Sequence, residues 1–431
     1  MPPESVSSPV APAPPTGFPA YLLAHGAWFL AFGVQMVLFP YLVRVVLQEN
    51  EVRFGIAQMC LQLPTTLLIL VGGFVADRGS PRRIVVIAYG LCVFTFLGLG
   101  LLVASDRLTY GLIITYALTV GAIGAFAMPA RDSLLSLVAP GSDGASVQKA
   151  VSFAALAQFA AQIIGMIIAT AAPFIGVGPL LLSLSGLMAL ATLAAITLKP
   201  RAPTPSARGS GNLIRRMASD IGGGLKAVAA SPVIAPVVIC ATAMGVCFMG
   251  SFFVLLPLIV ESYFTDAADP TRIASALALF SLCFWSGSMI SALLLVRFGH
   301  VRRKGVVYLI SLATGGAVLI ACAITVPFPA LCALNFVWGL GGGVAMTLGR
   351  GLVQQYSAPE TRGRVLSIFT LGLMGGGPVG ALTYGFMAKA IGPHLSILFP
   401  GALMLIVVAA VYLRSPLRRL NEEAPGGIGA L

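Results

Sequence analysis

Hydrophobic residues in this chain come in runs of about twenty or more, each long enough to cross a hydrocarbon layer of about 30 Å as a helix. The runs lie near 21–47, 54–76, 83–104, 109–137, 147–173, 177–198, 233–263, 273–297, 304–326, 329–356, 365–390 and 394–414. None shows the strict alternation of a barrel strand, and backbone groups in lipid must find their partners within the segment. The pattern predicts an all-α membrane protein with twelve transmembrane helices.

The runs also repeat. FGVQMVLFPYLVRVV (32–46) and MGSFFVLLPLIVESY (249–263) align Gly33 with Gly250 and Pro40 with Pro257, both 217 residues apart. Arg82-Arg83 falls on Arg302-Arg303 at 220, Arg131 on Arg350 and Pro140 on Pro359 at 219, and Gly178-Pro179 on Gly392-Pro393 at 214. A constant offset of about half the chain, kept in order, predicts two pseudo-symmetric six-helix bundles. An even number of spans separates equivalents, so the bundles share one orientation. The expected layout is a disordered Pro/Ser-rich tail at 1–20, bundles at 21–198 and 233–415, a linker at 199–232, and a second tail at 416–431. In the linker Leu213, Met217, Ile221 and Leu225 recur every four residues, as in a short helix lying on a membrane surface, although three successive glycines (222–224) weaken it.

Composition narrows the function. The chain is 58% hydrophobic and 9% charged, against roughly 25% charged in soluble domains. Only Arg44, Arg53, Arg107, Arg272 and Lys389 fall on the side away from the termini, which leaves 21 of the 26 Lys and Arg on the terminal side. That bias predicts cytoplasmic termini, in what reads as a bacterial inner-membrane protein. The net charge of +12 then reflects topology and an anionic inner leaflet, with no call for nucleic acid. The amino-terminal stretch has no basic patch ahead of its apolar part, unlike a signal peptide. All seven cysteines sit in apolar runs as small hydrophobes, and the three histidines stand far apart, so neither a disulfide framework nor a metal site is expected. The glycine-rich GLGGGVAMTLGRG (339–351) lacks the phosphate-loop spacing, so no nucleotide cofactor is expected and transport would be secondary.

One corner carries more. GGFVADRGSPRR (72–83), with a degraded copy VRFGHVRRKG after the eighth run, is similar to the signature G-x-x-x-D-[RK]-x-G-[RK]-[RK] of the major facilitator superfamily. The resemblance covers residues 20 to 415, and SDIGGGLKAVAASPVIAPVVI further resembles the branch that includes macrolide and siderophore exporters. Gly72 and Gly73 let helices approach closely, Gly79 supplies the turn, and the arginines hold the corner at the surface. In that family the corner latches the halves when the transporter faces outward, which implies the role for Asp77, Arg78 and Arg82. The alternative is a plain charged turn. Arg131, Asp132 and Arg350, near the same ends of the fourth and tenth runs, either complete the latch or touch substrate.

Four residues after the paired prolines, the first repeat carries Arg44 and the second Glu261. They either close the outer gate as an ion pair or stay apart at headgroup level. The polar residues within the runs are mostly amides, Gln35, Gln62, Gln158, Gln162 and Asn335, with Phe32, Phe252 and Trp338 nearby. Such a lining suits a small amphiphile, and the same amides would serve for helix-to-helix hydrogen bonds. Drug antiporters of the family carry a Gly-Pro motif in the fifth span, whereas here Gly377-Pro378 lies in the eleventh and Ile163 takes the proline's place. No carboxylate lies mid-membrane, so Asp77, Asp132, Glu261 or His25 would have to carry any coupled proton. The reading is a monomeric secondary exporter of a drug- or siderophore-like amphiphile, with protons as the candidate coupling ion and membrane lipid around it. A lysophospholipid transporter is the alternative; the clustered catalytic groups of an enzyme are missing.

Overall fold

The computed structural model describes residues 17–140, 144–201, 213–264, 270–298, 301–358 and 361–420; most of both expected tails and part of the linker lie outside the described residues. Among the described residues twelve helices are long and apolar enough to span a membrane: Phe18–Val46, Glu51–Ala76, Pro81–Ala104, Tyr110–Val138, Lys149–Ala169, Val177–Thr197, Ile234–Ser262, Arg272–Leu295, Lys304–Ala321, Phe328–Tyr356, Arg362–Ile391 and Pro393–Arg414. They are numbered below as the first to twelfth spans. Chain start and chain end share one face, the terminal end; the opposite face is the far end.

The spans form two six-helix bundles with matching partners. In the first bundle the first span packs on the fifth, the second on the fourth and the third on the sixth; in the second bundle the seventh packs on the eleventh, the eighth on the tenth and the ninth on the twelfth. The repeat glycines explain the tightest of these seams. A Cβ on Gly33 would lie 2.2 Å from the Gln162 carbonyl oxygen of the fifth span, and one on its equivalent Gly250 would lie 2.6 Å from the backbone of Gly380 in the eleventh. Lipid supplies no hydrophobic drive between helices, so the gain comes from backbones brought to this distance.

Two glycines of the 72–83 corner behave otherwise than expected. Gly72 does hold a helix contact, its Cβ position 2.1 Å from the Ala125 oxygen, but a Cβ on Gly73 would meet nothing within 4 Å. Successive helix positions lie about 100° apart, so only one of two neighbouring glycines can face the partner. Gly79 has φ −90° and ψ −170°, extended backbone open to any residue, so the corner is turned without a glycine-only conformation.

The linker helix Leu213–Ala230 persists through its triple glycine. Gly224 lies against the eleventh span, its Cβ position 2.9 Å from the Ile368 side chain and 3.0 Å from the Arg364 oxygen, so the missing side chain is what seats the helix. At the far end the first span widens into a π turn over Leu42–Val46, closed by Leu47 N–H to Leu42 O at 2.9 Å. The seventh span carries two such turns, Gly245–Met249 and Ser251–Leu255. Wide turns of this kind tend to mark functional positions.

Candidate functional site

The far end is bolted across the bundles. Arg44, carried on the π turn of the first span, donates from Nε to Glu261 Oε2 at 2.8 Å and from Nη2 to Glu261 Oε1 at 3.0 Å. Two parallel bonds to a carboxylate form the strongest geometry open to an arginine. Arg44 also lies 3.4 Å from Glu51 Oε1 and donates from Nη1 to the Glu49 carbonyl oxygen. The side chains of Arg44 and Glu261 are 17% and 22% exposed, which shields the pair from much of the screening that reduces surface ion pairs to about 0–1 kcal/mol. Next to it Arg53 pairs with Glu49 at 2.9 Å and covers the Tyr110 ring at 5.0 Å.

Below this bolt the second and eleventh spans run antiparallel across the seam between bundles. Gly55 meets Gly385, Gln62 Oε1 lies 2.3 Å from the Cβ position of Gly377, and Thr66 donates to the Met374 oxygen at 3.0 Å. The pseudo-symmetric seam between the fifth and eighth spans brings the rings of Phe159 and Trp285 to 6.3 Å. Between bundles, a narrow gap is lined by Met36 and Pro40 of the first span, Phe252, Phe253 and Pro257 of the seventh, and the eighth-span residues Leu277, Phe280 and Ser281. Both repeat prolines face it. The pairing of the prolines is visible in the sequence alignment, and Phe252 and Phe253 are the lining residues that the sequence also offers for a cavity.

The other cavity candidates scatter. Gln35 lines a separate narrow gap inside the first bundle, beside Phe39, Phe96 and Tyr116. Gln162 is 1% exposed and donates from Nε2 to Met36 Sδ at 3.5 Å. Asn335 is buried in the second bundle, donating from Nδ2 to the Phe280 oxygen at 2.6 Å, and Trp338 packs among Phe248, Phe252 and Phe284. Gln158 and Phe32 are half-buried, Phe32 edge-on to Phe29 at 6.4 Å.

Toward the terminal end the charged residues that are described make several separate contacts. Arg82 donates to the Ala195 oxygen at 3.4 Å and to the Ile196 oxygen, capping the sixth span of its own bundle, where a cation suits the helix carbonyl end. Arg78 covers the Phe74 ring at 4.2 Å. Asp77 ends the second span, and its side chain lies outside the described residues. Asp132 and Arg350, exposed residues of opposite bundles, lie close enough for their charges to interact. Arg131 points elsewhere, into the first bundle. Only 4% exposed, its guanidinium carbon sits 4.5 Å from the Phe29 ring centre and 5.8 Å from that of Trp28. Tyr89 is its hydrogen-bonding neighbour, and Tyr21 donates to its backbone oxygen at 3.2 Å. Among the described residues Nε and Nη1 have no hydrogen-bond partner. An unsatisfied buried donor costs about 1–3 kcal/mol, and more when charged. Tyr21 and Tyr89 escaped sequence reasoning because they sit in uniformly apolar runs, where no periodicity marks a face.

Two like bundles of six membrane helices, joined by seams that glycine makes close, define a polytopic membrane transporter rather than an enzyme. The model of the Major Facilitator Superfamily matches residues 21–266 and again 244–429, and the chain belongs to that superfamily. It is 25% identical over 418 residues to the multidrug efflux pump Tap of Mycobacterium tuberculosis, covering 94% of this chain and 96% of that one. To the pump of the same name from Mycolicibacterium fortuitum it is 26% identical over 399 residues, 88% and 91% of the two chains. Among solved structures, the nucleoside transporter NupG superposes with a TM-score of 0.73 at 14% identity, covering 92% and 98%. A bacterial homologue of the human lysosomal transporter Spinster, inward-facing and unoccupied, superposes at 0.70 and 14%, covering 95% and 98%.

Proposed function

We propose that this transporter exports a small amphiphilic compound by alternating access, with its far end outside a bacterial inner membrane and both termini in the cytoplasm. The observation that carries the reading is the Arg44–Glu261 bridge, which ties the two bundles together at the far end. Alternation needs such a bond: strong enough to hold one end shut, local enough to be given up when the other end closes. A population of open far end below about one in a hundred needs roughly 3 kcal/mol, within reach of the bridge together with the second-to-eleventh seam. The orientation is supported by the excess of Lys and Arg on the terminal side. The choice of cargo and direction is supported by relatives that are efflux pumps along nearly their whole length. Aromatic and thioether groups around the gap between bundles suit the apolar body of such a cargo.

At the terminal end, Asp77, Arg78, Arg82, Asp132 and Arg350 belong to the latch of the opposite state. Arg82 on the sixth-span carbonyls holds the corner to its own bundle, and Asp132 facing Arg350 supplies attraction between bundles as that end closes.

Everted vesicles with an acidic lumen test this. Lipophilic cations, macrolides, siderophores and lysolipids are added while a pH-sensitive dye is followed. At least one exporter-type compound should discharge the gradient with the wild-type protein and fail with Asp77→Asn. Silence across the panel, with folded and abundant protein, would reject proton-coupled export; a response to lysolipids alone would replace the cargo class.

A further inference from the structure

Arg131 is packed unlike the other charged residues near the terminal end. About 10 Å in from the terminal end, by helix rise, the first, third and fourth spans place Tyr21, His25, Trp28, Phe29, Tyr89 and Arg131 in one contiguous cluster. The rings run in series: Tyr21 on His25 at 5.3 Å, His25 on Phe29 at 5.0 Å, and Trp28 stacked on Tyr89 at 5.3 Å. Arg131 lies over the faces of Trp28 and Phe29. Among the described residues its Nε and Nη1 have no hydrogen-bond partner, whereas His25 meets the Tyr21 hydroxyl through Nδ1 at 3.3 Å and the Ala154 backbone; the two side chains are 4% and 5% exposed. Asp132, the next residue, is exposed; its charge acts on Arg131, but it makes no hydrogen bond to those two donors.

A guanidinium edge of two N–H groups is the shape that a carboxylate or phosphate fills with two parallel bonds. Aromatic faces beside it accept an apolar body. The equivalent place in the second bundle has lost this construction. Positions 217 residues on from Tyr21, His25, Trp28 and Phe29 are Val238, Thr242, Gly245 and Val246, and a Cβ on Gly245 would lie 2.2 Å from the Leu373 oxygen. There the space is closed by helix packing, and the matching arginine, Arg350, is exposed.

We infer that the cage is an oxyanion site that takes the carboxylate of an amphiphilic aromatic acid on Arg131, with Trp28, Phe29 and Tyr89 against its ring. Resting on the export reading, this makes acids a class of cargo; as a binding site it stands without it.

Trp28 reports on the cage directly, since the chain has only three tryptophans. In the full chain carrying Trp285→Phe and Trp338→Phe, purified in detergent, Trp28 fluorescence is titrated with benzoate, with benzamide, which keeps the ring and drops the charge, and with inorganic phosphate. Benzoate should give a saturable change at concentrations at least tenfold below benzamide. Arg131→Gln should abolish the preference, and Arg131→Lys should keep part of it. Phe29→Leu, which leaves the guanidinium in place and removes a ring face, should weaken benzoate by a few fold and guards against an Arg131 variant that fails to fold. Equal responses to benzoate and benzamide, no response in monodisperse protein, or an unchanged preference in Arg131→Gln would overturn the assignment. Phosphate acting in place of benzoate would also overturn it, in favour of a phosphate-bearing ligand. No transport step enters the readout, so failure of export in vesicles and failure of binding here are separate results.

Discussion

Arg131 and Arg350 stand 219 residues apart at equivalent places in the two bundles, and their surroundings differ in every respect. Arg131 turns inward to an aromatic cage and is 4% exposed; Arg350 stays at the surface, near Asp132 of the other bundle. The local sequences, ARDSLLSLVAP and GRGLVQQYSAP, do not decide this. The neighbouring first and seventh spans do, one offering His25, Trp28 and Phe29, the other Thr242, Gly245 and Val246. A repeat thus preserves the frame and lets the contents diverge: the second bundle spends these positions on a tight seam, the first on a polar pocket.

The frame is where the largest effect is expected. Gly250→Leu would force a side chain into the backbone of Gly380 and the ring of Tyr384, and Gly33→Leu would force one into Gln162. Overpacking costs about 1–3 kcal/mol where neighbours can shift, and more against backbone. Both variants should lose monodisperse protein on gel filtration. If one bundle tolerates the leucine, the two seams are not equivalent and the symmetry of the frame is looser than the distances say.

The contents come next. Arg131→Met removes a buried charge with unmatched donors and leaves an apolar side chain of similar reach among aromatic rings. Replacing a whole buried ion pair by apolar groups is often neutral or stabilising by about 1–4 kcal/mol, and a buried arginine with no ion-pair partner within 4 Å among the described residues leaves no paired charge behind when it is removed. The melting temperature in detergent should rise by several degrees, while Arg350→Met, at the surface, should stay within about 0.5 kcal/mol. A fall on Arg131→Met would mean that the guanidinium stabilises the first bundle, and the contrast with Arg350 would lose its meaning.

A smaller shift is expected at the far end, where the bundles differ in sign rather than in burial. Glu261→Gln keeps one hydrogen bond to Arg44 and removes the charge. A loss of about 1 kcal/mol would raise the far-end-open population about fivefold. Labelling of a cysteine introduced at the gate should rise accordingly, and Asp placed at 261 should restore most of the closure. Unchanged labelling would show that the second-to-eleventh seam alone holds the end shut.

Much of this could be read from the residues because it depends on length and order. Twelve runs of spanning length imply twelve helices, and the repeat register set Arg44 opposite Glu261, which the structure brings to 2.8 Å. The interior was harder. Soluble helices betray their buried face by alternation with polar residues, but these spans are apolar all round, so which side meets protein and which meets lipid leaves little trace. Asn335 and Gln162 read equally well as cavity lining or as buried donors, and both are buried. Tyr89 was indistinguishable from a lipid-facing aromatic until the third span was seen to turn it onto Trp28.

The smallest effect separates two adjacent glycines. Gly72 and Gly73 look alike in the corner motif, yet a Cβ on Gly72 would lie 2.1 Å from the Ala125 oxygen and one on Gly73 would meet nothing. The second bundle offers an internal control: 220 residues on from them stand Ala292 and Leu293, and Leu293 is 52% exposed. The place of Gly73 thus carries a large side chain in the other repeat without harm to the frame. Gly73→Ala should leave folding and transport unchanged, or add up to about 1 kcal/mol through helix propensity. Gly72→Ala should cost about 1–3 kcal/mol as the second and fourth spans are pushed apart. Thermal unfolding of both variants side by side decides the matter. If Gly73→Ala instead impairs transport with the melting temperature intact, the open face beside Gly73 is filled in another state of the cycle, and the glycine is kept for a contact that forms when the terminal end closes.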